Sequence, residues 1–226
     1  MLFRSGVVRK SSHDFWISRY GPIVVLPDRL EWSATRAYAL RDANLDNHRL
    51  LETWYDMNRA GSLDELEQAV AGNLGLPWVN TIAVDAAGEA LYMDVTVVPN
   101  LSGAQQDSCT PEAARKLLKE RLLVLRASAE CRWNIDPAAP QPGIFAAKDL
   151  PRLRRTDFVQ NSNDSAWLTN PAAPLTGFTS IVSEQEYPQN DRTRIGLTQI
   201  EARLAGTDGS PRSEEHTSEL QSQNRI

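Results

Sequence analysis

Two β-rich runs, Val79 to Asp85 and Ala90 to Val98, stand on either side of the short connector Ala86-Ala-Gly-Glu89. A connector this short, carrying Gly between two such runs, is a hairpin signal. Helical patterns flank it on both sides. Leu50 to Ala60 offers Leu51, Trp54, Tyr55 and Met57 for burial on a helix. Ser62-Leu-Asp-Glu65 reads as a capping box, in which the Ser hydroxyl meets a free backbone N–H and Glu65 reaches back. Behind it Leu63, Leu66, Val70 and Leu74 share one face, and Gly75 falls where a helix C-cap is expected.

Further along, Thr110-Pro111-Glu112 supplies an N-cap, a first-turn Pro and a first-turn acid. They predict an amphipathic helix to about Ala127 with Leu117, Leu118, Leu122 and Leu125 inward. Proline-rich Ala138 to Leu153 is expected to be irregular, and Arg192 to Leu204 is a last helix with Leu197, Ile200 and Leu204 inward and Gly206 at its end. At the other end, Val7-Val8-Arg9, Phe15 to Tyr20 and Ala37 to Leu40 read as strands. Gly21-Pro22 turns the chain into Ile23-Val-Val-Leu26, expected to be a buried strand. Strands and helices interleaved with long irregular connections point to an α+β sheet fold.

The 226 residues fit one domain or two. With 41% apolar and 23% charged residues, the composition is that of a folded globular chain. The net charge of −5, without a basic run, excludes nucleic acid and anionic membrane as natural partners. No apolar run approaches the roughly 20 residues that span a bilayer. The two ends stand apart. Arg212-Ser-Glu-Glu-His-Thr-Ser-Glu-Leu-Gln-Ser222 reads as the translation of a sequencing adapter, and Met1-Leu-Phe-Arg-Ser5 as that of the opposite adapter. Residues 1–5 and 212–226 are therefore set aside, and the natural piece is expected to run from Gly6 to Pro211.

The densest polar chemistry is Asn161-Ser-Asn-Asp-Ser-Ala-Trp-Leu-Thr-Asn-Pro171. Asn, Asp and Ser in such a run bond their own backbone, which is ordinary turn chemistry. An Asn side-chain N–H is also a fixed neutral donor, able to hold an oxyanion without a metal. Other chemistry is sparse. Outside the adapter-like tail the histidines are His13 and His48, and no P-loop, dinucleotide fingerprint, zinc spacing or calcium loop is present. Asp85 and Asp94 read as solvated strand ends. Trp54 and Trp78 are either core aromatics or the wall of an apolar ligand pocket. Cys109 and Cys131 are either a disulfide or two buried thiols.

An ordered set of motifs adds a resemblance. Arg19-Tyr-Gly-Pro-Ile23, Ala37-Tyr-Ala-Leu-Arg-Asp-Ala-Asn44, Trp54-Tyr-Asp-Met-Asn-Arg-Ala60 and Leu76-Pro-Trp-Val-Asn-Thr81 come one after another. Val84-Asp-Ala-Ala-Gly88, Val97-Val-Pro99, the run from Phe158 to Pro171 and Arg192-Thr-Arg-Ile-Gly-Leu197 complete the series. Together they resemble the β-subunit of penicillin acylase-type N-terminal-nucleophile hydrolases, most of all the acyl-homoserine-lactone and aculeacin-type acylases.

The resemblance implies part of a four-layer αββα fold, here an incomplete sheet with helical insertions. It also implies an exported, periplasmic or secreted amide hydrolase made as a self-cleaving precursor. In such enzymes a Ser at the new β-subunit N-terminus attacks the amide and its own α-amino group is the base, so no His, metal or cofactor is needed. That Ser and the partner α-subunit are expected outside this chain, which alone should be inactive. By position, Asn163 is the implied oxyanion donor and Arg192 the implied orienting arginine, with Arg194 nearby. Trp54, Trp78 and Val79 match the implied acyl pocket for a small acyl-amide substrate. A β-lactam side chain and a lipopeptide acyl group are alternative substrates, and a non-catalytic binding module is the alternative of a different class. The relatives' similarly spaced pair implies a Cys109–Cys131 disulfide.

Overall fold

The structure, a computed structural model, describes residues 10–210. Val7-Val8-Arg9 and the adapter-like ends lie outside the described residues. The chain divides into two compact units at Asp42.

The first unit is a small antiparallel meander of β1 (Ile17–Ser18), β2 (Gly21–Val24) and β3 (Tyr38–Ala39). Gly21 makes the β1–β2 reversal at φ +132°, where an added Cβ would lie 2.0 Å from the Leu40 carbonyl oxygen. Only a residue without a side chain fits there. The expected burial of Ile23 to Leu26 is not found: Val25 and Leu26 are exposed, and Leu30 is the one buried apolar side chain among the unit's described residues. A three-stranded sheet with strands of two to four residues has too little face to bury more.

The second unit holds the core. Helices α1 (Leu50–Arg59) and α2 (Leu63–Asn73) pack against each other. They lead to β4 (Thr81–Val84) and β5 (Ala90–Met93), the expected hairpin, registered Thr81↔Met93 through Val84↔Ala90. Val70, Leu74, Leu76, Leu91, Met93, Val95, Ile144 and Leu150 belong to one buried cluster. Of the residues expected to be buried on α1, Met57 packs against the core cluster and the others do not. Leu51, Trp54 and Tyr55 are exposed, and Thr53 is the fully buried residue beside them, its hydroxyl donating to the Arg49 carbonyl at 2.7 Å.

The cap of α2 differs in detail from the capping box. The Ser62 hydroxyl accepts from the Glu65 N–H, but the Glu65 carboxylate accepts from Gly61 rather than Ser62. At the other end Leu74, not Gly75, takes the left-handed conformation at φ +43°. Gly75 is required for proximity instead: a Cβ there would sit 2.4 Å from Thr53 Oγ1 and 2.5 Å from the Arg49 carbonyl oxygen.

Two elements escaped the sequence pattern. Helix α3 (Gly103–Cys109) opens with a complete capping box, Ser102 with Gln105. Strand β6 (Arg152–Arg155) pairs antiparallel with β5 and begins inside a stretch expected to be irregular. Its sequence, Arg-Leu-Arg-Arg, hides it because the sheet face it presents is ionic. Arg152 and Arg154 meet Glu67 of α2 at 3.0 and 2.8 Å, and Arg154 also reaches Asp64 and Glu89.

The helix expected from Thr110 to Ala127 is instead a 3-10 helix over Glu112–Glu120 that ends at Arg121, φ +59°. Thr110 closes α3, its hydroxyl donating to the Gln106 carbonyl at 2.6 Å, and does not cap the 3-10 helix. Beyond Arg121 the backbone turns back, the Leu122 N–H donating to the Leu117 carbonyl and the Arg126 N–H to the Cys109 carbonyl. Cys109 and Cys131 form a disulfide with Cα atoms 5.6 Å apart. The last helix, α4 (Asp191–Ala205), ends on Gly206 at φ +71° as expected, but it buries Thr193 while Leu204 stays exposed.

Two consequences are measurable. Replacing Cys131 by Ser should cost about 3 kcal/mol, since the bridge spans a sequence separation of 22, and denaturant unfolding with and without reductant checks this. Asp94 is not the solvated strand end expected; burial pushes its carboxyl up to about 6. A carboxyl raised in the folded state is a stability that is present at low pH and lost as pH rises from about 4 to 6. Asp94→Asn should therefore stabilise the protein by about 3 kcal/mol at pH 7 and by almost nothing near pH 3 in parallel urea titrations.

Candidate active site

Residues 156–190, between β6 and α4, form neither helix nor strand. The backbone there is held by side chains. Arg155 and the Phe158 N–H hold the Asp157 carboxylate well below its usual range, and buried Asn170 ties Asp157 to the Phe158 carbonyl and accepts from the Ala172 N–H. The polar run then folds on itself. Asn161 Oδ1 accepts from the Asn163 N–H at 2.8 Å while its Nδ2 donates to the Asp164 carbonyl at 2.9 Å. This two-residue-on side-chain turn places Asn163 at φ +56°, a conformation Asn tolerates better than most residues.

The turn sits on the sheet through β5. Tyr92, fully buried, accepts from Asn161 Nδ2 at 3.4 Å and donates to Asn80 at 3.2 Å. Burial, and secondarily the nearby Asp94, raise the phenol further above its ordinary value, so it stays a protonated anchor.

Asp164 ties the turn to α4. Its Oδ1 accepts from the Ser165 N–H at 3.0 Å and from the Tyr187 hydroxyl, and its Oδ2 from the Asn190 N–H at 3.1 Å and the Thr193 hydroxyl at 2.9 Å. Burial alone would raise this carboxyl, but those donors outweigh it and it titrates below the usual range. Asn190 is also the helix N-cap, accepting from the Thr193 N–H at 2.9 Å.

The outcome is that Arg192, in the first turn of α4, donates to Asn163 Oδ1 at 3.1 Å. A guanidinium carries donors only, so the atom it meets must be the amide oxygen, and the end of Asn163 left over is the Nδ2 donor. Arg194 instead faces Asp191 at 3.7 Å. Thus Asn163 and Arg192 are brought together and both are exposed.

The remaining predicted residues stand elsewhere. Trp54 on α1 and Trp78 before β4 are 45% and 78% exposed, so neither is a core aromatic, while half-buried Val79 packs on the core cluster. A cavity of about 400 Å³ between α1 and α2, lined by Asp56, Arg59, Glu65, Gln68 and Asn73, includes none of them. Sequence reasoning did not single out Tyr92, Asp164, Tyr187, Asn190 or Thr193. The Asn190–Thr193 cap spacing was the one signal available for two of them. Among the described residues no group of three His, Cys, Asp or Glu is placed to hold a metal ion, and no helix is long and apolar enough to cross a membrane.

Comparison with known proteins gives the family. The acyl-homoserine lactone acylase PvdQ of Pseudomonas fluorescens (strain Pf0-1) is 48% identical over 196 residues, 86% of this chain and 25% of that protein. PvdQ of Pseudomonas putida is 45% identical over 199 residues, 88% of this chain and 25% of its own length. Aculeacin-A acylase of Actinoplanes utahensis is 43% identical over 209 residues, 92% of this chain and 26% of its own length. The chain thus spans about a quarter of the length of these relatives. The family model described as penicillin amidase matches residues 5–225, and on that match the chain belongs to the penicillin amidase family.

Proposed function

We propose that this chain is part of an acylase that hydrolyses the amide of an N-acylated small molecule, with Asn163 as oxyanion donor and Arg192 as its orienting partner. The supporting observation is the contact at Asn163 Oδ1, which commits the amide to presenting Nδ2 as a donor. The nucleophile is an N-terminal Ser of the β-subunit, outside residues 6–211, and the α-subunit of the same precursor completes the enzyme and its four-layer fold. The Ser Oγ attacks the acyl carbonyl carbon as its proton passes to the Ser α-amine. The oxyanion so formed is met by Asn163 Nδ2. Collapse breaks the C–N bond, the amine leaves with that proton, and water then hydrolyses the acyl-enzyme.

The substrate class we favour is an acyl-homoserine lactone or a related acyl amide, with Trp54, Trp78 and Val79 on the acyl side and the enzyme in the periplasm or secreted. The chemistry requires neither metal nor cofactor. The 43% identity to an aculeacin-A acylase, over 92% of the chain, keeps a lipopeptide acyl group as the second reading.

The full-length protein should release free fatty acid and amine from a panel of acyl-homoserine lactones, followed by mass spectrometry. A full-length protein with no Ser at the β-subunit start, or one releasing no acid from any acyl amide, overturns the reading in favour of a binding module. Asn163→Gly, which keeps the left-handed backbone, should lower kcat by about 10²–10³ with KM little changed. Trp78→Ala should raise KM for long acyl chains and leave short ones nearly unaffected, because each buried CH₂ contributes about 0.8 kcal/mol. An equal effect across chain lengths would remove Trp78 from the acyl side.

A further inference from the structure

We propose that Asp164 is the positioning residue of the Asn163–Arg192 pair: its ionised carboxylate clamps the 161–165 turn onto the first turn of α4, and the pair meets only while that clamp is closed. The role rests on the proposed acylase site, and it falls to a residue that touches neither substrate nor reacting atoms.

The geometry is unusually specific. Each carboxylate oxygen receives one backbone N–H and one hydroxyl: Ser165 and Tyr187 on Oδ1, Asn190 and Thr193 on Oδ2. Ser165 belongs to the turn, Tyr187 and Asn190 lie on the approach to α4 and at its cap, and Thr193 is inside its first turn. Thr193 is buried, and it is the residue directly after Arg192. Asp164 is the residue directly after Asn163. The clamp therefore joins the immediate neighbours of both members of the pair, whose own contact is a single hydrogen bond between exposed side chains. A lone exposed contact of that kind does not fix two side chains; a half-buried carboxylate with four donors, set between their neighbours, does.

The hydroxyls can rotate to donate or accept, but the two backbone N–H groups can only donate. An Asn at position 164 has one acceptor oxygen, so whichever way its amide is turned, either the Ser165 or the Asn190 N–H faces an NH₂ group. The near-isosteric neutral residue cannot close the clamp.

The test is a double-mutant cycle in the full-length protein. Asp164→Asn should lower kcat about 100-fold with KM little changed, the size of loss that an ångström of misplacement produces. Added to Asn163→Gly, it should cost no more than about twofold further, because a residue that acts only through Asn163 has nothing left to position. Loss that multiplies through both substitutions overturns the inference, since general destabilisation would act in either background. Hydrogen exchange gives the readout that does not depend on activity: amides of 165 and 190 should exchange at least about tenfold faster in Asp164→Asn than in the wild type, and equal exchange overturns the clamp. If the wild-type protein hydrolyses no acyl amide, the functional reading fails and exchange alone judges the clamp. If Asp164→Asn does not fold, Tyr187→Phe and Thr193→Val, each removing one donor, take its place in the cycle and in the exchange experiment, and the same two results decide for or against the clamp.

Discussion

Between β6 and α4 the chain runs through residues 156–190 with no ladder or helix to pair its backbone, yet much of it is buried or half-buried. Backbone N–H and C=O groups removed from water must find partners. Here the partners are side chains: Asp157, Asn161, Asp164, Asn170, Gln185 and Asn190 each accept from or donate to main-chain atoms nearby. The composition of this segment reflects that requirement. Its amides and carboxylates are first a scaffold, and the exposed Asn163 is the member of the set whose side chain the scaffold leaves available.

The scaffold is anchored at two places that differ physically. On the sheet side, Tyr92 of β5 is a neutral, fully buried phenol linking Asn161 to Asn80. On the helix side, Asp164 is a charge that offsets its desolvation by collecting four donors. The disulfide and the ionic β6–α2 contact stabilise other parts of the unit. Stability and the presentation of Asn163 thus rest on separate sets of residues.

The parts of the fold legible in the sequence divide along the same physical line. The β4–β5 hairpin and helices α1, α2 and α4 were visible because periodicity and caps are local signals. Strand β6 was not, because its Arg-Leu-Arg-Arg face is satisfied by carboxylates on α2, far away in sequence. The early end at Arg121 has no local signal, and the outward placement of Leu51, Trp54 and Tyr55 depends on the segments packed behind α1. At the site, Asn163 and Arg192 were named from a family resemblance, and no local pattern says why they should touch. That reason lies in Asp164, Tyr187 and Thr193, which look like ordinary loop and helix residues until their side chains are seen to converge.

Arg49 ties together the two helices that begin the second unit. Its guanidinium donates to the Asn73 and Leu74 carbonyls at the end of α2 and to Gln141, while its own carbonyl accepts from Thr53 of α1 and lies against Gly75. One residue thus closes the last turn of one helix and the first turn of the other. Fraying at either end gives up hydrogen bonds to the same residue, which couples the start of α1 to the end of α2.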